Sequence, residues 1–188
     1  WQKKAVILHT NGGGSNLYSW FNRAENTDHV ASHFQIFKNG TCEQYIDTAR
    51  QAYANVAANT WAVSIETEDD GHPEVPWTVA QLATIIAICK WMECPPKSLV
   101  ESPSDGVGYH SQFHSWNPNA HICPGPVRIK QIYDVVIPGL HVVDYRKLKV
   151  EAVKVAEQLG ISHTQVNVKG VRKGVPFEKL LIAIAKAK

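Results

Sequence analysis

Long apolar runs are the first thing this sequence lacks. No stretch of its 188 residues approaches the roughly 20 consecutive apolar residues that cross a bilayer, so no membrane span is expected. Cysteine is sparse, and Cys42, Cys89, Cys94 and Cys123 show no Cys-x-x-Cys spacing, so no structural zinc ribbon is implied. The glycines of Asn11-Gly12-Gly13-Gly14-Ser15 are not followed by Lys-Ser/Thr, which argues against a phosphate-binding loop. The chain opens on Trp1 with no signal-peptide pattern, consistent with an excised domain or a processed product. What remains is ordinary: 44% apolar and 19% charged residues, enough for one well-buried domain plus an appendage.

Charge divides the chain unevenly. Trp1–Leu140 holds 9 basic and 13 acidic residues, whereas His141–Lys188 holds 10 basic and 4 acidic. The expected organisation is therefore a catalytic-sized domain over 1–140 and a basic extension over 141–188. In the extension, Leu148, Ala152, Val155, Ala156 and Leu159 fall at helical spacing before Gly160, and Leu180, Leu181 and Ile184 repeat the pattern. Those stripes need burial, which favours docking with a basic face outward; a polyanion would suit that face, and no specific nucleic acid is expected.

Upstream, the patterns alternate between strand and helix. Lys4–His9 contains the apolar run Ala5-Val6-Ile7-Leu8 and reads as a buried strand with His9 at its tip. Ser15 can cap a short helix through Leu17–Phe21. Ser32–Lys38 and Thr41–Ile46 flank Asn39-Gly40, a strong hairpin signal, and Trp61–Thr67 is a further strand. Thr78 and Gln81 form a capping box for a helix over Val79–Met92, with Leu82, Ile85, Ile86 and Cys89 on one face. Pro126 opens another helix, expected to end at Pro138-Gly139. Cys42 is expected to pack beside its hairpin, and a Cys89–Cys94 bridge is conceivable. The fold class is α/β, a central mixed sheet flanked by helices, with a small helical C-terminal extension.

The chemistry concentrates on four residues. His9 ends a strand, His110 follows Gly108-Tyr109, and Cys123 sits in the stiff segment His121-Ile122-Cys123-Pro124-Gly125-Pro126. Two imidazoles and a thiolate suit tetrahedral zinc and leave a fourth position for water. Glu66 closes the strand Val63-Ser64-Ile65-Glu66 and supplies the base that a hydrolytic zinc site needs. His114 competes with His110, being four residues away, although Ser111 stands where a zincin carries Glu. Glu66 also has a plain reading, as one surface carboxylate among Glu68, Asp69 and Asp70. His33 reads as a supporting residue, while His29, His72, His141 and His163 carry no site signal.

At Val6-Ile7-Leu8-His9-Thr10, Ala31-Ser32-His33-Phe34, Val63-Ser64-Ile65-Glu66, Gly108-Tyr109-His110 and His121–Pro126 the chain resembles the zinc-dependent N-acetylmuramoyl-L-alanine amidases of the type 2 class, which share their fold with peptidoglycan-recognition proteins and phage endolysins. The segments appear in the family's order over about Lys4 to Ile132. The resemblance implies metal ligation by His9, His110 and Cys123, catalysis by Glu66, and oxyanion stabilisation by His121. It departs at Ser32, where some members carry a catalytic tyrosine. It also implies zinc as cofactor, peptidoglycan as substrate, and action on the bacterial cell wall after a period in the host cytoplasm if phage-encoded. Trp20, Tyr109, Phe113 and Trp116 are candidate groove walls for sugar rings, with core positions as the alternative.

Three other functions remain to be weighed. A non-catalytic recognition module would be marked by loss of the thiolate or the base, and both are present. A Cys-His thiol hydrolase is disfavoured because Pro124 denies Cys123 an activating helix N-terminus. A nucleobase deaminase would need His-x-Glu and Pro-Cys-x-x-Cys, which are missing.

Overall fold

The structure is a computed structural model that describes residues 3–13 and 17–141. The Ser15 cap and the two helices expected in the basic extension lie outside the described residues. Five strands form one mixed sheet in the order β3-β2-β4-β1-β5: β1 Ala5–Leu8, β2 Phe34–Ile36, β3 Cys42–Gln44, β4 Val63–Thr67 and β5 Gly106–Tyr109. β1 runs parallel to both β4 and β5, β2 runs parallel to β4, and β2 and β3 form the antiparallel hairpin. Its turn uses Gly40 at φ 85°, where a Cβ would lie 2.9 Å from the Ala80 Cβ of the helix beneath. A side chain there would meet both backbone strain and a collision.

The pleat sorts the core into two layers. Val6, Leu8, Val63, Ile65, Val107, Phe34 and Ile36 face one side and pack with Leu82, Ile85, Cys89 and Met92. These last come from α2, Val79–Trp91, or from its C-cap Met92, and α2 opens with the expected capping box: the Thr78 hydroxyl accepts from the Gln81 N–H, and the Gln81 side chain accepts from the Thr78 N–H. Ala5 and Ile7 face the other way and pack with Ala58, Trp61, Ala62, Leu99 and Trp116. Apart from Leu99, this second layer is made by short 3-10 turns and the residues just after them, at Val56–Ala58 and His114–Trp116.

Three expectations need correction. The helix α3, Pro126–Gln131, does not stop at Pro138-Gly139. It widens into a π-helical turn at Ile132–Val136 and resumes as α4, Ile137–Leu140. The wide turn shifts the hydrogen-bond ladder ahead of Pro138, whose ring and missing N–H a regular helix would not accommodate. Gly139 then packs against Ile86, which a Cβ would approach to 2.8 Å, and Leu140 joins the core. Cys42 is exposed rather than packed, since all of β3 lies at the open edge of the sheet. Cys89 and Cys94 are both buried and both free. β5 was not anticipated as a strand: its Gly-Val-Gly-Tyr sequence carries no period-two signal, and both glycines are there because neighbours press on them. A Cβ would lie 2.5 Å from the Lys97 carbonyl oxygen at Gly106 and 2.6 Å from the Gln112 Oε1 at Gly108. Among the described residues, no helix is long and apolar enough to cross a membrane.

Candidate metal centre

The site forms where the parallel strands β1, β4 and β5 end, the edge of an α/β sheet at which ligands ordinarily bind. His9 follows β1 and is held by its backbone on both sides. Its N–H donates to the Ile65 carbonyl at 2.9 Å, and its carbonyl accepts from the Thr67 hydroxyl at 2.6 Å. His110 opens the 3-10 turn after β5, and Cys123 precedes a cis peptide bond to Pro124. The Ser111 N–H donates to the Cys123 carbonyl at 2.9 Å, which ties those two segments together. Gly125, at φ 96°, lets the chain pass Pro73, whose carbonyl oxygen lies 2.6 Å from where a Cβ would sit.

These supports bring His9, His110 and Cys123 together, with one ligand atom from each lying within 4.8 Å of the others. The two imidazole rings have centroids 4.5 Å apart. Glu66 completes the cluster, its Oε1 lying 3.8 Å from the His9 Nδ1, while its buried Oε2 has no hydrogen-bond partner. His114 is exposed and takes no part in the cluster.

The donor set fits a dication. The Asn55 Oδ1 lies 2.6 Å from the His9 Nε2, so that nitrogen carries the proton and Nδ1 keeps its lone pair toward the cluster. Burial, then His110, pulls His9 down to about 3 against the Asn55 hydrogen bond. Burial, then His121, pulls His110 down to about 4, so both imidazoles are neutral and able to ligate at neutral pH. Burial, then Asp69, pushes Glu66 up to about 8. Burial, then Glu66, pushes the Cys123 thiol far above its ordinary value. A dication bound there would oppose the last two shifts by favouring carboxylate and thiolate.

A layer behind the ligands escaped the sequence reading. The Thr10 N–H donates to the Cys123 Sγ at 3.1 Å, and the Thr10 hydroxyl donates to the Asp69 Oδ2. The Asp69 Oδ1 accepts from the Gly13 and Gly71 N–H groups. Arg128 donates from Nη1 to the Thr10 hydroxyl at 2.7 Å and from Nη2 to the His72 carbonyl at 3.1 Å, with Nη1 3.5 Å from the Asp69 Oδ2. Burial alone would raise the Asp69 carboxyl, but the bonds from Thr10, Gly71 and Gly13, with the Arg128 charge, hold it below its ordinary value. Asp69 reads in the sequence as one member of an acidic run, and Arg128 carries no local signal there. Only long-range contacts distinguish them. His33 proves to be a structural support: its Nδ1 accepts from the Ser64 N–H at 3.0 Å, and its Nε2 lies 3.1 Å from the Arg50 carbonyl.

The remaining candidates scatter. His121 is exposed and stacks on His110 at 5.8 Å, so it borders the cluster. Trp116 is 1% exposed in the second core layer, packed against Trp61 and Phe113, and so offers no face to a ligand. Phe113 is half-buried against the same layer. Tyr109 packs on the opposite face of the sheet, toward Tyr133, because it shares the pleat direction of Val107. Trp20 lies on α1, Leu17–Phe21, beneath the Arg23 guanidinium. None of the four lines the cavity that borders His110 and His121.

A family model for N-acetylmuramoyl-L-alanine amidases matches residues 2–126. Among solved structures, the N-acetylmuramoyl-L-alanine amidase LysC from Clostridium intestinale URNW aligns with a TM-score of 0.51 at 13% identity, covering 86% of this chain and 88% of that one. An AmpD structure aligns at 0.52 with 16% identity over 72% and 85% of the two chains. The Staphylococcus aureus hydrolase AmiA aligns at 0.52 with 10% identity over 74% and 73%. These likenesses are of fold. A search of curated proteins by sequence gave no match.

Proposed function

The chain belongs to the type 2 N-acetylmuramoyl-L-alanine amidase family, and from that premise we propose that it hydrolyses peptidoglycan with zinc held by His9, His110 and Cys123 and with Glu66 as the proton carrier. It is an amidase by class, and its substrate is peptidoglycan. The bond cut joins the lactyl group of N-acetylmuramic acid to the L-alanine of the stem peptide. The observation that carries the reading is the convergence of three zinc-type ligands with a buried carboxylate 3.8 Å from one of them.

Zinc there would supply a Lewis acid, making water nucleophilic at neutral pH and polarising the scissile carbonyl. The protein's own groups divide the remaining work. Asn55 fixes the His9 tautomer and ring orientation. Glu66, with one oxygen unpartnered, accepts a proton from the attacking water and returns it to the departing alanine nitrogen. His121, on the open side of His110, donates toward the oxyanion. Ser32, buried with its hydroxyl donated to the Phe34 carbonyl, stands outside this chemistry.

We further propose a phage or prophage endolysin as the setting, from the resemblance in sequence, with the basic 141–188 extension as an anchor for anionic wall polymer. The test is product chemistry. Purified peptidoglycan digested by the protein should yield new free L-alanine amino groups and intact lactyl acids, with no new reducing sugar ends. The reaction should stop on chelation and resume with zinc. Glycan chain cleavage, or unchanged activity in a chelator that strips the protein of metal, would overturn the reading.

A further inference from the structure

Two nucleophilic side chains lie outside the metal centre and meet at the end of α2. The helix closes in a left-handed cap, with Met92 as its C-cap and Glu93 following at φ 56°. The Glu93 N–H donates to the Lys90 carbonyl at 3.0 Å, and the Cys94 N–H donates to the Cys89 carbonyl at 2.9 Å. That bonding pattern folds the chain back so that the residue two past the cap packs on the last helical turn, a contact usually made by two apolar side chains. Here both are cysteines, buried in the same core cluster with their thiols free. A hydrogen bond between the Cys89 and Cys94 side chains, then burial, holds the Cys89 thiol well above its ordinary value. The direct backbone hydrogen bond also keeps the two Cα atoms within the roughly 4.4–6.8 Å that a disulfide spans. The turn between them is held from outside: Glu93, rather than glycine, occupies the left-handed position, and its carboxylate accepts a 2.8 Å bond from Lys4, just before β1.

From this geometry we propose that Cys89 and Cys94 are a redox-sensitive pair, which a small disulfide such as oxidised glutathione converts into a bridge that staples the end of α2. Cys94 is 6% exposed and Cys89 is fully buried, so Cys94 reacts first. Its thiolate attacks one sulfur of the oxidant and expels one thiol; the Cys89 thiolate then attacks the Cys94 sulfur of that mixed disulfide and expels the second. The protein gives up two electrons and two protons, and the oxidant leaves as two thiols. Position spares the metal centre. Glu93 bonds to Lys4 before the start of β1, whereas His9 follows its end, so the pair and the Cys123 cluster belong to opposite ends of the sheet. The bridge itself does not depend on the amidase reading. That reading supplies only the setting, since a wall-acting protein works outside the reducing cytoplasm, where disulfides persist.

The test oxidises the native full chain with oxidised glutathione in the presence of zinc, using Cys42→Ser so that the exposed thiol takes no part. Peptide mapping should show a Cys89–Cys94 crosslink with Cys123 outside it, and Tm should rise by roughly 5 °C, as expected for closing a short loop. Dithiothreitol should reverse both. Adding Cys89→Ala, which keeps a small apolar residue in the core, should leave glutathione held on Cys94 with no rise in Tm. Cys94→Ser is an independent control and should take up no glutathione at the fully buried Cys89. A crosslink that forms only after unfolding in urea, a bridge that includes Cys123, a mixed disulfide on Cys94 that never closes in the Cys42→Ser chain, or a crosslinked chain that melts no higher would each overturn the proposal.

Discussion

Replacing Arg128 with methionine tests whether the layer behind the ligands holds the site. Arg128 is 1% exposed and Asp69 is fully buried, with 3.5 Å between Nη1 and Oδ2. At an effective dielectric near 20 the attraction across that distance is roughly 5 kcal/mol before desolvation is counted. Methionine fills most of the volume but leaves Asp69 charged without its counter-ion, and leaves the His72 carbonyl without its donor. Asp69 keeps three hydrogen-bond donors, from Thr10, Gly13 and Gly71, which places the loss near the lower end of the usual range for a broken buried pair, about 3 kcal/mol. For a domain of this size that corresponds to a fall in Tm of roughly 10 °C. Urea and thermal unfolding should both show it. Because Thr10 links Arg128 to the Cys123 Sγ, zinc should also be lost to a competing chelator about 10- to 100-fold more readily. Asp69→Asn combined with Arg128→Met should cost less than the sum of the single changes, since no buried charge is then stranded. An Arg128→Met protein that melts within about 2 °C of wild type, or strictly additive losses, would refute the argument.

Further outcomes follow from the same geometry. Cys123→Ala and His110→Ala should each lose bound metal along with turnover, whereas His114→Ala keeps both; stoichiometric zinc in His110→Ala, measured by elemental analysis, would reassign the ligand. Glu66→Gln should retain zinc yet lose about a hundredfold to ten-thousandfold in turnover, and near-normal rates would make Glu66 structural. His33 is held neutral, at about 4 when folded against 6.5 unfolded, mainly by burial, against the pull of its Arg50 hydrogen bond. The unfolded state therefore binds the extra proton first, and stability should fall as pH drops from about 6.5 to about 4, by up to about 3 kcal/mol from this residue. Urea titrations of His33→Gln should lack that part of the slope, and an unchanged slope would contradict the assignment. Truncation after Leu140 separates two roles for the basic extension: an anchor for anionic wall polymer predicts spared hydrolysis of a small soluble muramoyl-peptide with weaker, salt-sensitive binding to whole walls, whereas docking predicts a lower Tm and loss of both activities, and an unchanged melt would defeat docking.

What could be read from the sequence was what local pattern carries. Ala5-Val6-Ile7-Leu8 is a continuous apolar run because β1 is flanked by parallel strands on both sides and covered on both faces. Thr78 and Gln81 announce their helix because capping acts within three residues. Asn39-Gly40 announces its hairpin because the turn needs a positive φ. The candidate ligands stood out because His and Cys at strand ends and in stiff turns are few. What stayed hidden depends on partners far along the chain. β5 has a glycine where Lys97 presses and another where Gln112 and Leu99 press, and neither contact is visible from Gly-Val-Gly-Tyr itself. Trp116 reads as a groove wall because a flat apolar face suits a sugar ring, and its alternative, a core position, holds: Trp61, 55 positions earlier, packs against it.

The same distinction explains how the site divides its labour. His9 sits on backbone that the sheet fixes directly, through Ile65 and Thr67. Cys123 is different. It lies in a loop, so its sulfur must be placed by side chains and a backbone donor reaching across from elsewhere. Thr10 is suited to that task because it directly follows His9: a shift of β1 moves one ligand and the hydrogen bond to another together. Asp69 and Arg128 then grip Thr10 from the β4 loop and from α3, so three elements converge on one threonine hydroxyl. A buried ion pair contributes little to stability relative to well-packed apolar residues. Its presence here is better explained by geometry: charged, multiply bonded groups hold the loop-borne Cys123 sulfur beside the imidazoles of His9 and His110.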